Sequence, residues 1–223
     1  MKNFILTLGA VLFLLTSCEK EETLTPETTT SENLQNEDFA QLVEEALQQQ
    51  PEVKSFGPVQ TVDFVDINRY KGRWFEIANF PSPFNLTCSC TTADYDPIEN
   101  GVRVFNNCTD LVTGNFNSIT GRAVVVDPVS NSKLQVFLGQ IPFPGDYWII
   151  DLVSFTKDGP YDFAVVSGPD RDSLFILSRT PRLTSFRQRV ALVKILVNLI
   201  KQGYTITKIK VSPQFEDCVY PKL

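Results

Sequence analysis

Histidine is absent from all 223 residues. This removes the side chain that titrates near neutrality and the commonest transition-metal ligand. Ser–His–Asp and Cys–His mechanisms are therefore excluded, as are zinc or haem sites held by imidazole. Methionine occurs only at position 1, and there is no long basic run. The net charge of −6 does not suit a surface that must neutralise a phosphate backbone, so nucleic acid is not an expected partner. The spacing Cys88-x-Cys90 is tighter than zinc sites favour, so no metal and no cofactor are expected.

What the chain does have is apolar and aromatic. Hydrophobic residues make up 43% and phenylalanine alone contributes 17 positions. That composition supports a packed interior with a β-sheet bias.

The first residues read as an export signal. Lys2 supplies the positive start and Phe4 to Leu15 an apolar stretch too short to span a bilayer comfortably. Leu15-Thr16-Ser17-Cys18 resembles a lipobox, in which the Cys18 thiol takes a diacylglyceryl group and cleavage precedes it. This predicts a signal peptide over 1–17 and a stable multi-chain lipid anchor at Cys18. Residues 18–37 are rich in Thr, Glu, Ser and Asn and read as a disordered acidic linker. Over 38–50, Phe39, Leu42, Val43 and Leu47 fall at helical spacing before Pro51. That short helix has two readings, docking on the folded domain or lying on the membrane surface.

From residue 72 the period changes to that of strands. The runs are Trp74–Phe80, Cys90–Asp96, Val102–Asn107, Asn117–Val126, Lys133–Leu138, Tyr147–Phe155, Tyr161–Ser167 and Leu174–Arg179. Asn100-Gly101, Asp127-Pro128 and Pro144-Gly145 mark turns between them. Eight antiparallel strands in meander order predict an all-β, closed up-and-down barrel, within a domain over 60–223. Pro181 to Gly203 then reads as a helix, with Thr184 as N-cap and Gly203 as stop. Phe186, Val190, Val193, Val197 and Ile200 are expected to pack on the barrel wall. Leu192, Ile195, Leu196 and Leu199 widen the apolar arc toward the last strand, Thr205–Val211, or a protein partner.

Two motifs make the barrel specific. Asp66-Ile67-Asn68-Arg69-Tyr70-Lys71-Gly72-Arg73-Trp74 resembles the Gly-x-Trp start of the lipocalin family. Ser167-Gly168-Pro169-Asp170-Arg171-Asp172-Ser173-Leu174-Phe175-Ile176-Leu177-Ser178-Arg179-Thr180-Pro181 resembles the end of the barrel in the bacterial outer-membrane branch of that family. The family's middle motif is altered here, with Ile150-Asp151-Leu152-Val153 in its place. The resemblance implies that Trp74 plugs the closed end and that Arg179 lies over its ring, a cation–π contact of about 1–2 kcal/mol. In the apolipoprotein D-like branch the second strand is bridged to the C-terminal tail. That implies Cys90–Cys218 and leaves Cys88–Cys108, with the swapped pairing Cys88–Cys218 and Cys90–Cys108 still open.

Alternation from Trp74 places Glu76 and Ala78 inward. Tyr95 and Asn106 match positions that line ligand pockets in relatives. Val104, Phe137, Tyr147, Trp148 and Phe175 complete the candidate ligand-binding set. Inward Glu76 and Asn106 either pair with neighbouring polar groups or meet a ligand head-group.

The resemblance implies a membrane-anchored binding or transfer module for fatty acids or lysophospholipids, non-enzymatic, a monomer or weak dimer, at the outer membrane. The alternative is a carrier of a pigment or isoprenoid such as a carotenoid or tetrapyrrole. An enzyme would need a free pocket thiol, and a protein-binding lipoprotein would use the Leu192–Leu199 arc.

Overall fold

The computed structural model describes residues 31–49 and 56–222. The signal segment, Cys18 and the first part of the acidic spacer lie outside the described residues.

Eight strands follow one another in meander order: β1 Gly72–Asn79, β2 Cys88–Ile98, β3 Gly101–Asp110, β4 Phe116–Val125, β5 Lys133–Leu138, β6 Gly145–Val153, β7 Phe163–Ser167 and β8 Leu174–Ser178. Each pairs antiparallel with the next, and β1 pairs with both β8 and β2, which closes the sheet into a barrel. Helix α1 covers Ser31–Gln48, a one-turn α2 covers Ile67–Tyr70, and α3 covers Phe186–Lys201. A 3-10 turn at Ile206–Lys208 precedes the two-residue β9, Lys210–Val211, which pairs with β1.

Several local expectations are corrected. The turn between β2 and β3 is Glu99-Asn100, with Asn100 at φ 58°, and Gly101 already belongs to β3. Gly101 is needed for closeness: a Cβ there would sit 2.0 Å from the Ala123 carbonyl oxygen of β4. The N-cap of α3 is Ser185, not Thr184. Its hydroxyl accepts from the Gln188 amide while the Gln188 side chain accepts from the Ser185 amide, a reciprocal box. Gly203 ends the helix at φ 88°. The expected strand Thr205–Val211 is mostly a turn, because Tyr204, Ile206 and Ile209 all bury and that spacing breaks a period of two.

Two apolar layers result. One lies inside the barrel, around Trp74, Tyr95, Val104, Leu134, Ile149 and Leu177. The other lies outside, between the wall and the helices. Phe163, Val165, Leu174 and Ile176 present the wall, Leu192, Ile195, Leu196 and Leu199 of α3 bury against it, and Leu42 and Ala46 of α1 join them. The face led by Phe186 is only partly in contact: Val193 and Ile200 bury in this layer as expected, Val190 and Val197 are half-buried, and Phe186 is 82% exposed. The leucine arc is core, so it is not available to a protein partner. Helix α1 packs on α3, and Asp38 forms an ion pair with Arg189 at 3.2 Å.

The closed end is held by Arg179. Its guanidinium carbon lies 3.7 Å from the Trp74 ring centroid. Its nitrogens donate to five carbonyls: Tyr161 and, around the α2–β1 turn, Arg69, Tyr70, Lys71 and Arg73, at 2.7–3.0 Å. Trp74 Nε1 donates to the Tyr70 carbonyl at 2.8 Å.

The C-terminal segment repairs a split in the wall. β1 and β2 pair only from Gly72↔Tyr95 to Phe75↔Thr92. Beyond that point the Ser212 amide donates to the Ile77 carbonyl, and the Cys90 amide donates to the Pro213 carbonyl. Gln214 Nε2 donates to the carbonyls of both Glu76 and Thr91 at 2.9 Å. Residues 212–214 thus fill the gap between the two strands. The disulfides are Cys88–Cys108 and Cys90–Cys218, which excludes the swapped pairing.

Two outcomes follow for stability. Arg179→Lys keeps the charge but loses the planar fork, and is expected to cost about 2–3 kcal/mol in denaturant unfolding. The disulfides close loops of 20 and 128 residues. Paired Cys→Ala substitutions should cost about 3 kcal/mol for Cys88–Cys108 and about 5 for Cys90–Cys218, in the same assay.

Candidate functional site

The barrel interior is sealed at one end and accessible at the other. Near Trp74 the inward side chains Tyr95, Val102, Val104, Ala123, Leu134 and Ile149 are buried. Toward the opposite rim, Asn106, Ile119, Val136, Leu138 and Phe175 also face inward by register, yet remain half-buried. Side chains that point into a barrel and still meet solvent line an open cup.

Six of the nine sequence-derived pocket residues face the barrel interior: Glu76, Tyr95, Val104, Asn106, Tyr147 and Phe175. Three do not. Ala78 follows a bulge between Glu76 and Ala78, where Ile77 and Ala78 both turn outward to the α3 layer. Phe137 and Trp148 are one residue out of phase. Phe137 pairs with Arg122 on the outer surface, the guanidinium carbon 5.1 Å from its ring centroid. Trp148 pairs with Lys133, whose ammonium lies 4.4 Å from the indole, and abuts the outer apolar layer.

The same bulge creates a polar cluster. It returns Asn79 to the face of Glu76, three residues on, with Asn79 opposite inward Phe175. Asn79 Nδ2 donates to Glu76 Oε1 at 2.6 Å, and the Ser212 hydroxyl donates to the same oxygen at 2.5 Å. Burial pushes the Glu76 carboxyl above the usual carboxylate range, against the opposing effect of those two hydrogen bonds. On the neighbouring strands, Asn106 Oδ1 of β3 and Thr91 Oγ1 of β2 are both buried and have no hydrogen-bond partner. Asn79, Thr91 and Ser212 escaped the sequence reading. No pattern announces a bulge, and Ser212 stands 136 residues from the carboxyl it contacts.

The floor is a tyrosine chain. Tyr147 bridges the hydroxyls of Tyr70 at 2.8 Å and Tyr95 at 3.0 Å. Burial raises all three phenols, Tyr95 to about 12, so each stays neutral. The cavity they enclose with Val102, Ala123 and Leu134 is about 10 Å³, room for at most one water. This layer leaves no room for a larger molecule.

The four barrel cysteines are all bridged, which leaves no thiol nucleophile in the cup. The described residues contain no cluster of three or more potential metal ligands among His, Cys, Asp and Glu.

Glu76 couples stability to pH. Its folded pKa lies above the unfolded value, so its contribution is fully present below the unfolded pKa near 4.5 and is lost as pH rises through the folded value. Glu76→Gln removes that loss. The variant should melt above the wild type at pH 8, and the difference should vanish by pH 4, as read by thermal unfolding at both.

Comparison with known proteins agrees with this architecture. The Lipocalin-like domain family matches residues 65–214. Temperature-induced lipocalin-1 of Arabidopsis thaliana is 33% identical over 165 residues, covering 70% of this chain and 83% of its own length. Outer membrane lipoprotein Blc of Escherichia coli (strain K12) is 33% identical over 152 residues, covering 67% and 80%. Among solved structures, insecticyanin from the tobacco hornworm Manduca sexta aligns with a TM-score of 0.56 at 18% identity, over 74% of this chain and 88% of its own. Lobster apocrustacyanin A1 aligns at 0.51 and 16%, over 75% and 96%. At those identities the two structures establish the fold alone. The chain belongs to the lipocalin family, whose members bind small hydrophobic ligands.

Proposed function

We propose that this chain is a membrane-tethered, non-enzymatic carrier of single-chain amphiphiles, fatty acids or lysophospholipids, at the outer membrane. The observation that carries the reading is Asn106 Oδ1, a buried and unpartnered acceptor in an otherwise largely apolar, open cup. An unpaired buried acceptor costs about 1–3 kcal/mol, which the free glycerol hydroxyl of a lysophospholipid, or the acid proton of a fatty acid bound neutral, would recover. Glu76, with its raised pKa, adds a second polar contact two strands away on β1. Acyl chain would lie against Val104, Val136, Leu138 and Phe175.

The tether rests on the lipobox-like Leu15-Thr16-Ser17-Cys18, and the name of the Escherichia coli relative is consistent with it. The barrel functions as a monomer or weak dimer and takes its ligand from the bilayer it is fixed to, on the periplasmic or the outer side.

Mass spectrometry of lipids extracted from the protein purified out of its own membrane should find a fatty acid or lysophospholipid near one per chain. An empty barrel that also fails to bind added fatty acid or lysolipid would overturn the proposal. A visible chromophore would instead identify a carotenoid or tetrapyrrole carrier. Asn106→Leu should stabilise the empty barrel and weaken ligand binding roughly tenfold, measured by titration.

A further inference from the structure

The ends of the barrel differ in charge. Three loops at the open end join β1 to β2 (residues 80–87), β3 to β4 (111–115) and β5 to β6 (139–144). None contains a charged residue. Phe84, Leu86, Val112 and Phe143 on these loops are exposed, Phe84 at 86% and Phe143 at 80%, with Leu111 and Ile141 about half so. The closed end also exposes Val126 and Val129, but among Glu99, Asp127, Lys133, Lys157 and Asp158.

The apolar loops adjoin one another around the rim. Asp110, at the end of β3, fixes two of them: it accepts from the Thr87 hydroxyl at 2.5 Å and from the amides of Val112 and Thr113 at 3.0 and 2.8 Å. The fourth loop at this end, residues 168–173, carries Asp170, Arg171 and Asp172 and is tied to α3 through Arg171 and the Gln202 carbonyl. Beside Leu86 and Leu111 a cleft of about 540 Å³ runs between α1 and the rim, and Asn79 and Ser212 of the polar cluster stand in its lining.

We propose that these three loops insert into a lipid bilayer surface, with the charged fourth loop lifted clear, so that the cup opens directly onto the acyl layer. Separate prongs of Phe, Leu, Ile and Val suit a fluid phase, which moulds around them; a protein partner would need one continuous complementary face. The absence of charge suits insertion without anionic lipid. Residues between Cys18 and Ser31 allow a contour of about 45 Å at most, enough to let a tethered barrel tip onto its rim. This inference extends the carrier reading, whose ligand must pass this rim.

The test uses the full lipidated protein in phosphatidylcholine vesicles, with and without brominated phosphatidylcholine. Phe84→Trp and Phe143→Trp should each add fluorescence that bromine quenches, beyond the wild-type background. Val129→Trp at the closed end should add fluorescence that bromine leaves intact. Equal quenching at both ends, or none at positions 84 and 143, would overturn the proposal. Phe84→Asp combined with Phe143→Asp should slow transfer of a fluorescent fatty acid between vesicles at least about tenfold while leaving its equilibrium affinity unchanged. An unchanged rate would overturn it too. If sedimentation shows a dimer that this double variant dissociates, the loops face a second copy instead. Quenching at the rim with no ligand in the cup would sink the carrier reading and leave the docking surface standing.

Discussion

The barrel depends on one cation kept mostly out of water. Arg179 has its pKa lowered to about 10 by desolvation, which still leaves it charged at any physiological pH. Such a group is tolerated only with its donors used, and five carbonyls and one indole face supply the partners. Four of those carbonyls belong to the α2–β1 turn, so the fork ties the end of β8 to the start of β1, where the sheet must close. With the floor fixed, Trp74 and the tyrosine layer fill the bottom of the barrel, and the polar groups of the cup are left at mid-height.

Bulges decide what faces the cup. The insertion at Ile77–Ala78 sends two apolar side chains to α3 and returns Asn79 to the interior. A second insertion in β6, between Ile149 and Asp151, turns Ile150 and Asp151 outward together, where Asp151 accepts from Asn198 of α3 at 2.9 Å. Both bulges lie under the outer helix. They let strands that line a cup on one face also supply a double contact to a helix on the other. One extra residue in a strand therefore serves two layers.

This explains which parts were legible from residues alone. Strand number and order, the late helix, Trp74 and Arg179 each carry a local pattern or a motif. Tyr95, Val104 and Phe175 lie in regularly alternating stretches, and their direction follows. Ala78 fails because alternation holds only until a bulge. Phe137 and Trp148 fail because a large aromatic on the outer wall, shielded by Arg122 or Lys133, has the same composition as one inside. The capping residue was off by one because Thr184 and Ser185 are chemically equivalent, and only Ser185 stands three residues before Gln188. Ser212 was invisible because its role comes from a strand pairing, not from its neighbours.

The tail that fills the gap between β1 and β2 also sets an order of assembly. Ser212, Pro213 and Gln214 supply wall contacts to strands made more than 120 residues earlier, and Cys218 waits for Cys90 across 128 positions. While the chain is still emerging, the barrel can meander and pair its strands, but one seam stays open beside Glu76. Residues 212–218 follow all eight strands in the chain, so the wall beside Glu76 is finished only after every strand it joins has been made.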